Sequence, residues 1–92
     1  MAFTRESTVD AAKRDLANRL SIDIEQIEMA SVIDKEFPDM SLGAATSGEM
    51  SAMMISSGWI IILKTAKESY EYRADKYQLR LHNFEDQNYV IA

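Results

Sequence analysis

The residues Trp59-Ile60-Ile61-Ile62-Leu63 constrain the fold more than any other part of the chain. β-Branched and aromatic side chains favour a strand, and successive strand side chains point to opposite faces. Trp59, Ile61 and Leu63 therefore load one face, and Ile60 and Ile62 load the other. A strand with one wet face would alternate apolar and polar residues, so this one demands cover on both sides. Burying the two isoleucines rather than leaving them in water is worth about 3–6 kcal/mol. A helix can cover one face. The other needs the loop, the tail or another molecule.

The helix is expected at residues 7–20, where Val9, Ala12, Leu16 and Leu20 recur at helical spacing. Ser7 is read as its cap, with Asp10 completing a weak capping box and sitting well on the N-terminal dipole. Strands are expected at about 27–36, 50–55, 59–65, 69–75 and 77–84. Tyr70-Glu71-Tyr72-Arg73 alternates cleanly, and Leu79 and Leu81 continue the pattern. Phe37-Pro38-Asp39 should end the first strand, because proline cannot donate to a ladder. Ser56-Ser57-Gly58 and Ala66-Lys67-Glu68 read as turns. Between Asp39 and Glu49 lies a long loop rich in small residues. For the tail around Tyr89-Val90-Ile91, a last edge pairing and a mobile end are both open. The sum is a single α+β domain over residues 1–92, one N-terminal helix packed on a four- to five-stranded antiparallel sheet.

The elements Glu36-Phe37-Pro38-Asp39-Met40-Ser41-Leu42-Gly43, Gly48-Glu49-Met50, Ser57-Gly58-Trp59 and Tyr70-Glu71-Tyr72-Arg73-Ala74-Asp75 resemble those of a small bacterial domain family of uncharacterised function. Its members carry an aromatic-Pro-Asp-x-(Ser/Cys)-Leu-Gly loop and a closing Tyr-x-Tyr-(His/Arg)-Thr-Asp strand. The resemblance runs from about residue 9 to 82. It implies relatives that are often exported or lipid-anchored, with cysteines at the positions of Ser41 and Ser51, or of Ala44. The chain has no cysteine, so a loop disulfide of that kind is absent. The helix-on-sheet plan is also similar to that of cystatin-like inhibitors, a likeness of fold alone.

Chemistry is sparsely represented. Without cysteine there is no thiolate nucleophile and no cysteine metal site. A single histidine, His82, is expected to face solvent, as is Arg80 on the same strand parity. The carboxylate groups Asp23/Glu25, Asp34/Glu36 with Asp39, and Glu85/Asp86 read as solvated faces, and no EF-hand or metalloprotease pattern is present. Gly43 and Gly48 bracket the loop without a following Walker lysine. Fifteen acidic residues against ten basic ones give a net charge of −5, which opposes direct nucleic-acid binding. No apolar run approaches the ~18 residues of a membrane span, and the N-terminus lacks a signal-peptide core. A cytoplasmic location is favoured, or an exported one if a signal has been removed.

The expectation is therefore a non-enzymatic protein-binding module without catalytic residues, cofactor or metal. It would present the 38–48 loop in the manner of an inhibitor. Its candidate contact residues are Pro38, Asp39, Met40, Ser41, Leu42 and Gly43, with Met53, Met54, Ile60 and Ile62 as an adjoining apolar surface. Two alternatives accompany it: a self-associating domain forming a homodimer through the second sheet face, and an acidic decoy of a nucleic-acid-binding protein.

Overall fold

The computed structural model describes residues 2–50 and 52–92. A helix, α1 (Arg5–Leu20), is followed by a single 3-10 turn at Ile24–Gln26 and then by five strands: β1 (Glu28–Phe37), β2 (Ser56–Lys64), β3 (Ser69–Asp75), β4 (Leu79–Phe84) and β5 (Gln87–Val90). The strands form one antiparallel sheet in chain order. This is the expected α+β architecture, with the fifth strand supplied by the tail.

Thr4, rather than Ser7, caps α1. Its hydroxyl accepts from the Ser7 N–H at 3.1 Å, and the Ser7 hydroxyl accepts from the Thr4 N–H at 2.8 Å. Ser7 is thus the third residue of a reciprocal capping box, its hydroxyl standing where a Glu or Gln side chain is usual. Ser21 ends the helix in the left-handed region at φ 55°. Ala12 and Leu16 pack on Ile61, Leu63, Tyr72, Ala74, Leu79 and Leu81, so the 59/61/63 parity of β2 is the one that faces the helix. At the centre the Tyr72 hydroxyl donates to Asp15 at 2.7 Å, which docks the helix on β3. Burial, reinforced by that bond to a carboxylate, pushes the Tyr72 hydroxyl well above the ordinary tyrosine range.

Three local expectations are corrected. Residues 50 and 52–55 form no strand, and Ser51, within that expected strand, lies outside the described residues. The side chains of residues 50 and 52–55 are largely apolar, but no strand among the described residues offers them a ladder. Ser56-Ser57-Gly58 is not a turn but the start of β2, paired with β1 from Ser56↔Phe37 onward. Gly58 is required there because a Cβ would run into the Ala74 carbonyl of β3. The stretch from Tyr77 joins β4 only at Leu79. Before it, the buried Asp75 carboxylate accepts from the N–H groups of Tyr77 (2.8 Å) and Gln78 (3.0 Å), shaping the turn.

β4 and β5 are joined by Glu85 and Asp86, both at positive φ (51° and 66°), in a two-residue loop closed by the pair Phe84↔Gln87. Positive φ at both loop residues is the geometry of a tight hairpin, normally built with Asn-Gly or Asp-Gly. Among the described residues, no helix is long and apolar enough to cross a membrane.

Candidate functional site

The second face of the sheet carries the aligned row Ile33↔Ile60↔Arg73↔Arg80, running across β1 to β4. Two arginines directly opposite each other on neighbouring strands repel unless other groups take up their charge. The chain between β1 and β2 supplies those groups.

That chain turns at Asp39. One oxygen of its carboxylate accepts from the Ser41 hydroxyl (2.7 Å), the Ser41 N–H (2.9 Å) and the Gly43 N–H (3.1 Å). The Ser41 hydroxyl bond above all, with the Gly43 N–H next, holds the Asp39 carboxyl below the ordinary range. Leu42 and Gly43 follow in the left-handed region, at φ 58° and 66°. The backbone carbonyls of the loop are then fastened to the sheet one after another. Gln78 donates to the Met40 carbonyl (2.6 Å), Arg73 to Leu42 (2.9 Å), Arg80 to Ala44 (3.2 Å) and Asn88 to Ala45 (2.8 Å). Beneath this strap Phe37, Ser41, Leu42 and Ala44 are buried. The Arg73 guanidinium lies 6.0 Å from the centre of the Phe37 ring.

Carboxylates complete the balance. Arg73 donates to Glu71 at 2.7 Å, and Arg80 meets both oxygens of Glu49 at 2.6 Å in a two-point pair. Such paired, planar recognition suits guanidinium better than ammonium. The Arg80 bonds, followed by the Thr46 N–H, pull the Glu49 carboxyl down to about 2.

The candidate contact residues separate into distinct environments. Ser41 and Leu42, expected on a presented tip, are instead buried, because the Asp39 turn and the Arg73 bond roll them inward. Asp39 and Met40 are half-buried, and Pro38 and Gly43 are exposed. Ile60 and Ile62 are half-buried on the sheet face. Met53 and Met54 are exposed at 81% and 64%, beside Met50 at 97% and Ile55 at 71%. The Met40 N–H donates to the Ala52 carbonyl at 2.9 Å, tying this methionine segment to the strap.

Two further expectations fail here. Arg80 is buried rather than solvent-facing, since Glu49, Gln78 and the Ala44 carbonyl engage its guanidinium. His82, opposite Glu71, is half-buried, and its Nδ1 is enclosed without a hydrogen-bond partner among the described residues. Sequence reasoning missed Gln78, Arg73, Arg80, Glu49 and Asn88 as the residues that hold the loop. Their one available signal was parity: Arg73, Gln78 and Arg80 all lie opposite the apolar face formed by Tyr72, Leu79 and Leu81.

No three of His, Cys, Asp and Glu gather among the described residues. Open clefts lie elsewhere among the described residues. One, of about 820 Å³, sits between the end of α1 and the β2–β3 turn and is lined by Leu20, Ile22, Thr65 and Tyr70. Another, of about 420 Å³, runs beside Asp34, Glu36, Trp59 and Lys76.

A family model described as a domain of unknown function, DUF8738, matches residues 9–82. The chain belongs to that family. The matched span opens within α1 and closes within β4, so the DUF8738 region contains the strap, both clamping arginines and the methionine segment. No curated protein and no solved structure matches the chain.

Proposed function

We propose that this DUF8738 chain is a non-enzymatic protein-binding module whose contact surface is the segment holding Met50, Met53, Met54 and Ile55. The exposure of four large apolar side chains within six consecutive positions carries this reading. Scattered apolar residues on a surface need no explanation, but a contiguous group of this kind marks interaction sites. Methionine suits such a surface because its unbranched, polarizable side chain adapts to a partner. The segment projects from a scaffold stiffened by the strap, a common arrangement for recognition loops. An inhibitor-like use of the 38–48 loop would fall to its exposed residues Pro38, Gly43, Ala45 and Ser47, since Ser41 and Leu42 are turned inward.

The aromatic-Pro-Asp-x-Ser-Leu-Gly element is then the signature of the strap. Phe37 and Leu42 are buried, Asp39 collects the turn N–H groups, Ser41 donates to it, and Gly43 takes positive φ.

Capture from an extract of the native cell tests the reading. A partner retained by the wild-type chain should be lost with Met53→Glu/Met54→Glu while the circular dichroism spectrum stays unchanged. Equal retention by that variant, or no partner retained by either chain, overturns it.

A second reading, self-association, is favoured by the free edge and face of β1. Among the described residues this ten-residue strand has β2 as its one neighbour. Ile33 on it is 53% exposed and aligned with the half-buried Ile60. Sedimentation should then report a dimer that Ile33→Lys or Ile60→Lys dissolves. A monomer at high concentration removes this reading.

A further inference from the structure

We infer that Met50, Met53 and Met54 form a binding site for a soft monovalent cation, Cu(I), through their thioether sulfurs. Thioethers are neutral, polarizable donors that select Cu(I) and are poor ligands for hard cations such as calcium or magnesium. Three of them fall within five consecutive positions, and none is spent on the core, at 97%, 81% and 64% exposure.

The surroundings favour the assignment. Met50 and residues 52–55 lie outside the strands. Its flanks are fixed, Glu49 by Arg80 and Ser56 by its bond to Asp75 at 2.6 Å, and within the segment the Ala52 carbonyl accepts from the Met40 N–H. Pinned ends lower the ordering cost of bringing three flexible side chains around one ion. Each methionine has three rotatable side-chain bonds with which to aim its sulfur. Neutral sulfurs leave the ion's charge uncompensated, which penalises a divalent ion more than a monovalent one, and a chain of net charge −5 opposes neither. No competing group of three histidines, cysteines or carboxylates stands among the described residues.

The inference goes beyond the docking reading and can fail separately from it. Leucine keeps the apolar bulk of methionine but has no sulfur. Met50→Leu/Met53→Leu/Met54→Leu should therefore leave the circular dichroism spectrum unchanged while abolishing metal binding, a readout that needs no protein partner.

The chain is titrated with Cu(I), kept reduced by ascorbate without oxygen, against a chromophoric Cu(I) chelator. A single Cu(I) should bind, with Zn(II) showing no competition. Loss of outer partners alone weakens metal sites about 10–100-fold, so removing the ligands should cost at least that much. In parallel, Ag(I) should move the ε-methyl resonances of Met50, Met53 and Met54 and leave that of Met29 in place. Wild-type Cu(I) affinity in the triple leucine variant, or unmoved ε-methyl signals in the wild-type chain, overturns the site.

Discussion

Arg80 and Glu49 meet through two bonds of 2.6 Å, with the arginine side chain 6% exposed and the glutamate 26%. The pair joins β4 to the end of the strap, 31 positions earlier in the chain. Glu49→Gln leaves a buried guanidinium partly unsatisfied and should cost about 1–3 kcal/mol. Arg80→Met, which removes the charge and keeps much of the stem, should make a following Glu49→Gln nearly neutral. A double-mutant cycle by urea denaturation checks the coupling, and additive losses would contradict it.

Acid should loosen the strap. The Glu49 carboxyl is lower in the folded chain, at about 2, than its ordinary value of 4.5, and Asp39 is shifted in the same direction. The unfolded chain thus binds protons first as pH falls. The stabilisation is complete above about pH 4.5 and is lost progressively toward pH 2. Urea midpoints measured over that window should fall more steeply for the wild-type chain than for Glu49→Gln.

Gly43 and Gly48 both have positive φ, at 66° and 79°. Alanine at either should cost about 1–2 kcal/mol for the left-handed backbone alone. At Gly43 the new Cβ would also lie 2.5 Å from Arg73 Nη1, whereas at Gly48 it meets nothing within 4 Å. Gly43→Ala should therefore be the more destabilising and should free the Leu42 carbonyl, read as faster amide exchange across residues 40–45. Equal effects at the two sites would show that Arg73 does not hold the loop.

Tyr72→Phe removes one buried hydroxyl while Asp15 keeps its pairing with Arg19 at 3.2 Å. The loss should be about 1 kcal/mol, with the slope against urea unchanged. Asp15→Leu should cost more, since it leaves the Tyr72 hydroxyl without an acceptor.

The fold was legible where local pattern and burial agree. The doubly apolar run in β2, the alternation in β3 and β4, and the helical stripe through Ala12 and Leu16 each state their structure in nearby residues. The β4–β5 hairpin was less legible because Glu85-Asp86 takes positive φ without the glycine that usually announces it. The apolar residues 50–55 read as a strand because periodicity reports side-chain chemistry and cannot report whether a partner strand exists.

By itself, the sequence determined that residues 59–63 are a strand needing cover on both sides, and that no cysteine or histidine cluster drives the chemistry. That follows from the two-residue alternation of strand side chains, which is a local property. Only the tertiary structure decided that the helix takes the Trp59, Ile61 and Leu63 face, and that the other side of the sheet receives a loop fastened by Arg73, Gln78, Arg80 and Asn88, with Ile60 and Ile62 left half-buried. It also turned Ser41 and Leu42 inward and left Met50, Met53 and Met54 outside. The physical reason is distance along the chain. A backbone carbonyl carries no sequence label, so a loop held by its carbonyls declares its partners only once strands more than thirty residues away have paired.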